Sequence, residues 1–344
     1  MIRSRALTFL AALVLAASGC SDEGDAEALP PSTDFAVALD TVGGGEAAQG
    51  VGWVEPGRVE PGPARIEVIG DALGPNASSV IDSARTLERR FGFDPLAADS
   101  LVSVGGSYAF GLRADGLDGS GLARALRPDA VDTSRTADVE LVEADSYASV
   151  PGPLLEAGVQ GLGAYDAFGD GEVVLAISAR ARAALLGEGE PRIEAPIYAA
   201  AAECLGDVVA AKLTPDSNLV STDLGISLVA AGVRADGDEV LCTLGGGAER
   251  AVEIAANLRR LLVPEGRDPI SGDRLDGSIS AVRVERGAPY GTDTVRAVIE
   301  PAPGGQPGYV FGLVSSASVV GLINGAGRTF APFGDEVGSG SGDG

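Results

Sequence analysis

Gly111-Leu112-Arg113-Ala114-Asp115-Gly116 recurs, with Val for Leu, as Gly232-Val233-Arg234-Ala235-Asp236-Gly237. A longer echo follows each copy. Val173-Val174-Leu175-Ala176-Ile177-Ser178, then ARARAALLG, matches Val310-Phe311-Gly312-Leu313-Val314-Ser315, then SASVVGLING. Both read as a β-rich run, a serine at a helix N-cap, and a short helix stopped by glycine or Asn-Gly. The common order of the two echoes predicts duplicated halves, residues 35–190 and 191–331.

Working outward, each half reads as helix, β-hairpin, helix and closing strands. In the first, Val80, Ile81, Ala84, Leu87 and Phe91 recur at helical intervals and predict one helix over 80–91. Leu101–Val104 and Tyr108–Leu112 flank the turn signal Gly105-Gly106. Asp118 can cap a short helix that Pro128 ends, and Val139–Val142 and Glu172–Ile177 read as strands. In the second half, Pro196–Leu213 is predicted as one alanine-rich helix. Ile226–Val233 and Glu239–Leu244 pair across Asp236-Gly237, Glu249–Leu262 is a helix, and strands follow at Ser278–Glu285, Thr294–Ile299 and Tyr309–Val314. The fold class expected is α+β: two similar halves, each an antiparallel sheet with helices packed on one face.

The chain opens with MIRSRALTFLAALVLAASGC. Arg3 and Arg5 form a basic start, Leu7 to Ala17 is an apolar run too short to span a bilayer, and small residues lead to Cys20. That ending resembles a bacterial lipobox, with Ala17 where leucine is commonest. The resemblance implies that residues 1–19 are a signal peptide, that Cys20 is lipidated, and that the protein is extracytoplasmic and anchored to the cell membrane. Two acyl chains suffice for stable anchoring. Residues 20–34 are acidic, small and proline-punctuated, a flexible tether, and residues 332–344 read as a disordered tail. The body is similar in pattern to repeat-containing α+β envelope lipoproteins of high-GC bacteria. The likeness rests on the lipobox, an opening strand Phe35–Asp40, the Phe93-Asp94-Pro95 helix exit and the strand-Ser-helix closures. It implies architecture and location, and no catalytic motif.

Composition excludes several chemistries. The net charge of −24 makes nucleic acid an improbable partner. Histidine is absent, which removes Ser-His-Asp and Cys-His catalysis and histidine-containing zinc sites from this chain. The sole lysine is Lys212, and Val209 stands three residues before it, so no Ser-x-x-Lys motif exists. Aromatic residues are only 5%, which argues against a sugar-stacking cleft. With Cys20 lipidated, Cys204 and Cys242 are an even pair in an oxidising compartment and read as a disulfide stapling helix to strand.

Three candidate sites stand beside plainer readings. Gly245–Gly247 lies between a strand and a helix but lacks both Gly-x-Gly-x-x-Gly and Gly-Lys-Ser/Thr, so an ordinary turn explains it better. Gly116–Gly121 has the same reading. Asp268, Asp273 and Asp276 offer three carboxylates in one loop, the candidates for calcium, provided Arg274 points away. No catalytic residue and no cofactor are expected. The function expected is a lipid-anchored envelope protein that binds a ligand or protein partner, or contributes structurally, without doing chemistry; a groove between the halves is the natural seat. The alternatives are a solute-binding lipoprotein of a transporter and a carboxylate-based hydrolase.

Overall fold

The short strand Val51–Val54 (β1) pairs with both halves of the chain at once, and the architecture follows from that. The computed structural model describes residues 33–325 apart from 45–49, 106–109, 131, 137–138, 144–151, 216–218, 220–223, 269–270 and 317. The expected signal peptide, Cys20, most of the tether and the tail lie outside the described residues.

On one side β1 pairs with Ser100–Val104 (β2), which pairs with Gly111–Asp115 (β3). Asp132–Thr136 (β4), Val139–Glu143 (β5), Tyr165–Gly169 (β6) and Glu172–Ala176 (β7) then meander back, so that β7 lies against β3. On its other side β1 pairs with Ala210–Pro215 (β8), setting Gly52 opposite Lys212 and Trp53 opposite Ala211. Leu228–Val233 (β9) and Glu239–Leu244 (β10) continue the meander. Ile279–Gly287 (β11) and Thr294–Pro301 (β12) return with β12 against β10. The result is one antiparallel sheet, with twelve strands among the described residues. Both halves trace a three-stranded meander, a crossover containing a helix, and a last strand placed beside the third.

Helices cover both faces. Phe35, Trp53, Val102, Val174, Ala211 and Cys242 belong to a core on one face, here the Trp53 face. Asp34–Asp40 (α1), Ala179–Leu185 (α7) and Pro196–Leu205 (α8) pack there. The opposite, Lys212 face carries Arg65–Leu73 (α2), Pro75–Asp82 (α3), Ala84–Phe91 (α4), Ser120–Leu126 (α5) and Gly152–Ala157 (α6). Gly247–Leu261 (α9), Tyr309–Ser315 (α10) and Ser318–Asn324 (α11) complete it. Burial on both sides explains why β9 reads as an unbroken apolar run rather than an alternating one, and why every residue of β10 is buried, Glu239 and Thr243 included.

The α+β class with antiparallel pairing is as expected. The sheets of the two halves are fused, however, and helices lie on both faces rather than one. The segment expected as an opening strand, Phe35–Asp40, is helix α1: Thr33 caps it by accepting from the Ala36 N–H. A strand would bury Val37 with Phe35 and Leu39, but Val37 is 59% exposed. The helix expected over 80–91 is two, α3 and α4, broken at Ser83. The helix expected over Pro196–Leu213 stops at Leu205, where Gly206 takes φ of +71°, and Ala210–Pro215 becomes strand β8. Tyr309–Val314, expected as a strand, is helix α10, which buries Val310, Phe311, Leu313 and Val314 at helical spacing.

The echoes themselves are not equivalent in space. Gly111–Asp115 is strand β3, whereas Gly232-Val233 ends β9 and Arg234 to Gly237 turns toward β10. The first copy's Arg113 is buried and donates to the Thr41 and Leu185 carbonyls and the Thr41 hydroxyl, fastening the ends of α1 and α7. Arg234 has no such role. The halves resemble one another in path, not through the residues that first suggested it.

Candidate functional site

The cavity at the β1–β8 junction is built by alternation along β8. Ala211 and Leu213 face the Trp53 core, so Lys212 between them projects to the other face, beneath α2 and α10. Its Nζ donates to the Asp71 carbonyl at 3.0 Å and to the Ser315 hydroxyl at 2.8 Å. Asp71 lies in the last turn of α2 and Ser315 is the final residue of α10. The ammonium therefore sits at the C-terminal ends of two helices, the negative ends of their dipoles, bound to a carbonyl of one and a hydroxyl of the other. Burial pulls the Lys212 pKa down, and the nearby Asp71 opposes that. Burial likewise pushes the Asp71 carboxyl up, against the pull of Lys212. Two of the three ammonium donors are used, and no described carboxylate stands within ion-pair distance.

Around Lys212 opens a cavity of about 780 Å³. Val51, Leu73, Phe110, Leu213, Leu219 and Val314 supply apolar wall; Asp71, Ser78, Ser103, Thr214 and Ser315 supply polar groups. Two hydroxyls are already committed, Ser78 to the Pro75 carbonyl and Ser103 to the Leu73 carbonyl, both at 2.7 Å. Gly52 makes the close approach possible: a Cβ there would collide with the Ala72 carbonyl oxygen and the Ser103 hydroxyl. Size, apolar walls and one fixed cation suit a small ligand with an acidic or polar end.

Sequence spacing offers no Ser-Lys motif, yet the fold brings Ser315 to Lys212 across 103 residues. Nucleophilic chemistry is poorly served by this placement. Ser315 ends its helix, so carbonyls rather than N–H groups face the site, and they would oppose an oxyanion. The Asp71 carbonyl favours the charged ammonium, while burial disfavours it. Asp71 is the one carboxylate lining the cavity among the described residues, so no facing carboxylate pair occurs there.

The other candidates are occupied by their own neighbours. Asp268 accepts from the Ser271 N–H and from the Tyr309 hydroxyl, and Arg274, which a calcium site needs out of the way, binds Asp276 at 2.9 Å. Asp273 meets Asp268 only through the backbone, its carbonyl accepting from the Asp268 N–H, and among the described residues no group of three acidic or thiol ligands is placed to hold a metal. Gly245, Gly246 and Gly247 all take positive φ in the turn from β10 to α9. Arg250 crosses beside that turn, donating to the Leu224 carbonyl and Asn324. In the Gly116–Gly121 loop, Asp118 accepts from the Ser120 N–H at the start of α5. Cys204 in α8 and Cys242 in β10 are bonded, with Cα atoms 6.4 Å apart. No helix among the described residues is long and apolar enough to cross a membrane.

Fold and cavity define a three-layer α+β protein with one lysine at the seam of its halves. No protein-family profile matches the chain, and no curated protein does. Among solved structures, crystal form I of TP0453 is similar at 13% identity and a TM-score of 0.37, covering 81% of this chain and 96% of that one. Crystal form IV of TP0453 gives 10% identity and the same TM-score of 0.37, over 82% and 96%. Superpositions this loose carry neither fold nor function across.

Proposed function

We propose that the chain is a lipid-anchored envelope protein that binds a small ligand in the cavity between its halves and does no chemistry on it. The observation that carries this reading is the cavity itself, with Lys212 held at its wall by Asp71 and Ser315 and one donor left over. The anchor is inferred from Arg3, Arg5, the apolar run and Cys20. The β1–β8 pairing fuses the halves into one sheet, which disfavours the hinge closure of a transporter's solute-binding protein.

The test is a thermal-melt screen of the full chain in nonionic detergent against short-chain carboxylates, amino acids and acyl amphiphiles. A hit should raise the melting temperature of the wild type and lose most of that effect in Lys212→Met. Hits indifferent to Lys212→Met, or turnover of a hit by the purified protein, would overturn the reading. Intact mass of the membrane-extracted protein tests the anchor: it should begin at Cys20 and carry acyl chains.

A further inference from the structure

Arg234 and Arg296 are an anomaly in a chain with a net charge of −24. Both are half-buried, and among the described residues neither guanidinium has a hydrogen bond or an ion pair. Their Nε atoms are fully buried without a partner. Three other described arginines also bury an unpaired nitrogen, but Arg65, Arg182 and Arg192 each engage a carbonyl, a carboxylate or a ring through the rest of the side chain.

The two guanidiniums converge. Their Nη2 atoms lie 3.6 and 3.7 Å from the point a Cβ on Gly206 would occupy. Gly206 is the C-cap of α8, so both guanidiniums meet beside the negative, carbonyl end of that helix, which favours the cations and which an entering anion must outweigh through the two forks. The Cys204–Cys242 disulfide fixes that geometry: Cys204 lies two residues before Gly206, and Cys242 is the direct cross-strand neighbour of Arg296. The carboxylate best placed to neutralise Arg296 is Glu285, opposite it on β11, but Arg283 already binds Glu285 at 3.0 Å. Burial, then the like charge of Arg234, pulls the Arg296 pKa down, so the pair is held together at an electrostatic cost. Guanidinium forks match tetrahedral oxyanions, and an oxyanion held between the two Nη2 groups relieves their mutual repulsion.

We infer that Arg234 and Arg296 form an oxyanion-binding site over Gly206, suited to a phosphate group, free or borne on a lipid headgroup. The site is on the Trp53 face of the sheet, opposite Lys212, and stands independently of the ligand cavity.

The test uses the full chain in nonionic micelles at matched ionic strength, with melting followed on adding inorganic phosphate in place of chloride. A parallel arm dopes the micelles with phosphatidic acid. Well above the dissociation constant, phosphate should raise the melting temperature by about 5 °C. Arg296→Gln and the double variant Arg234→Gln/Arg296→Gln should abolish the rise, and Arg286→Gln, an exposed arginine of β11, should keep it. A response to phosphatidic acid alone, with the same dependence on Arg296, assigns the site to a headgroup. No response in either arm overturns the proposal, as does a response that survives the double variant or disappears in Arg286→Gln. Without phosphate, Arg296→Gln should be no less stable than wild type, because it removes one of two like charges. A clear loss of stability there would mean that the arginines serve only the end of α8, and would also overturn it.

Discussion

Glu239 and Lys212 hold opposite ends of α10, each with the charge that its end favours. The Glu239 carboxylate accepts from the backbone N–H groups of Gly308, Tyr309 and Val310, at 2.6, 3.1 and 2.6 Å. At the far end the Lys212 ammonium binds Ser315. Both residues stand on strands of one sheet, β10 and β8 with β9 between them, so a seven-residue helix with no side-chain N-cap of its own is pinned at each terminus.

Glu239→Ala leaves three N–H donors without their partner in a buried place. The loss should be about 3 kcal/mol, read by urea denaturation at neutral pH, and α10 should gain amide exchange before the rest of the sheet.

The pH dependence of stability should also trace to Glu239. Burial pushes its carboxyl up to about 6 from 4.5, against the downward pull of the three backbone donors. The unfolded chain therefore releases this proton first. The associated stability is fully present below about 4.5 and is lost as pH rises through about 6, an effect of about 2 kcal/mol. Urea midpoints at about pH 5 and about pH 7.5 should differ more in wild type than in Glu239→Gln, where the titration is absent. Equal slopes in the two proteins would show that the carboxyl is not perturbed.

Lys212→Met removes the cation shared by the ends of α2 and α10. A loss of about 1–2 kcal/mol is expected, since the side chain is part-buried and the Asp71 carbonyl and Ser315 hydroxyl it serves lie beside a cavity that water can enter. Chemical denaturation with calorimetry of the same samples checks it.

Gly52→Ala should be among the more damaging small substitutions, at about 2–3 kcal/mol. Its Cβ would strike the Ala72 carbonyl and Ser103 hydroxyl, pushing α2 off the central strand and deforming the cavity. A normal melting temperature in this variant would contradict the close approach of α2 to β1.

Removing the disulfide by Cys204→Ser and Cys242→Ser should cost about 4 kcal/mol on the chain-entropy account, given the sequence separation of 38. Cys242 is 0% exposed, so reductant should expose thiols to a labelling reagent only under unfolding conditions. Thiols that label in the native, unreduced protein would contradict the bridge.

Much of the second half was legible in the residues. β9, β10, α9, β11 and β12 follow from apolar runs bounded by Asp236-Gly237, Gly245-Gly246 and a fifteen-residue amphipathic helix. The disulfide followed from the two cysteines that remain once Cys20 is set aside as the expected lipidation site. Two of the differences share one cause: short apolar stretches whose length suits either state. Phe35–Leu39 and Tyr309–Val314 are too brief for periodicity to separate helix from strand, and tertiary partners decide them. For Tyr309–Val314 the deciding group is Glu239, 71 residues from Val310. Gly206 did signal the stop of α8, but the alanines before it and the run Val208 to Leu213 masked the change of period.

By itself, the sequence determined the α+β class, the antiparallel pairing, the cysteine pair and the exclusion of histidine chemistry, because composition and local turn residues control those properties. Only the tertiary structure joined the halves through β1 and β8, set helices on both faces, and gathered Lys212, Asp71 and Ser315. Those contacts span 141 and 103 residues of chain. Sequence periodicity describes which side of an element is buried; what is buried against it depends on sheet order, which no local pattern encodes.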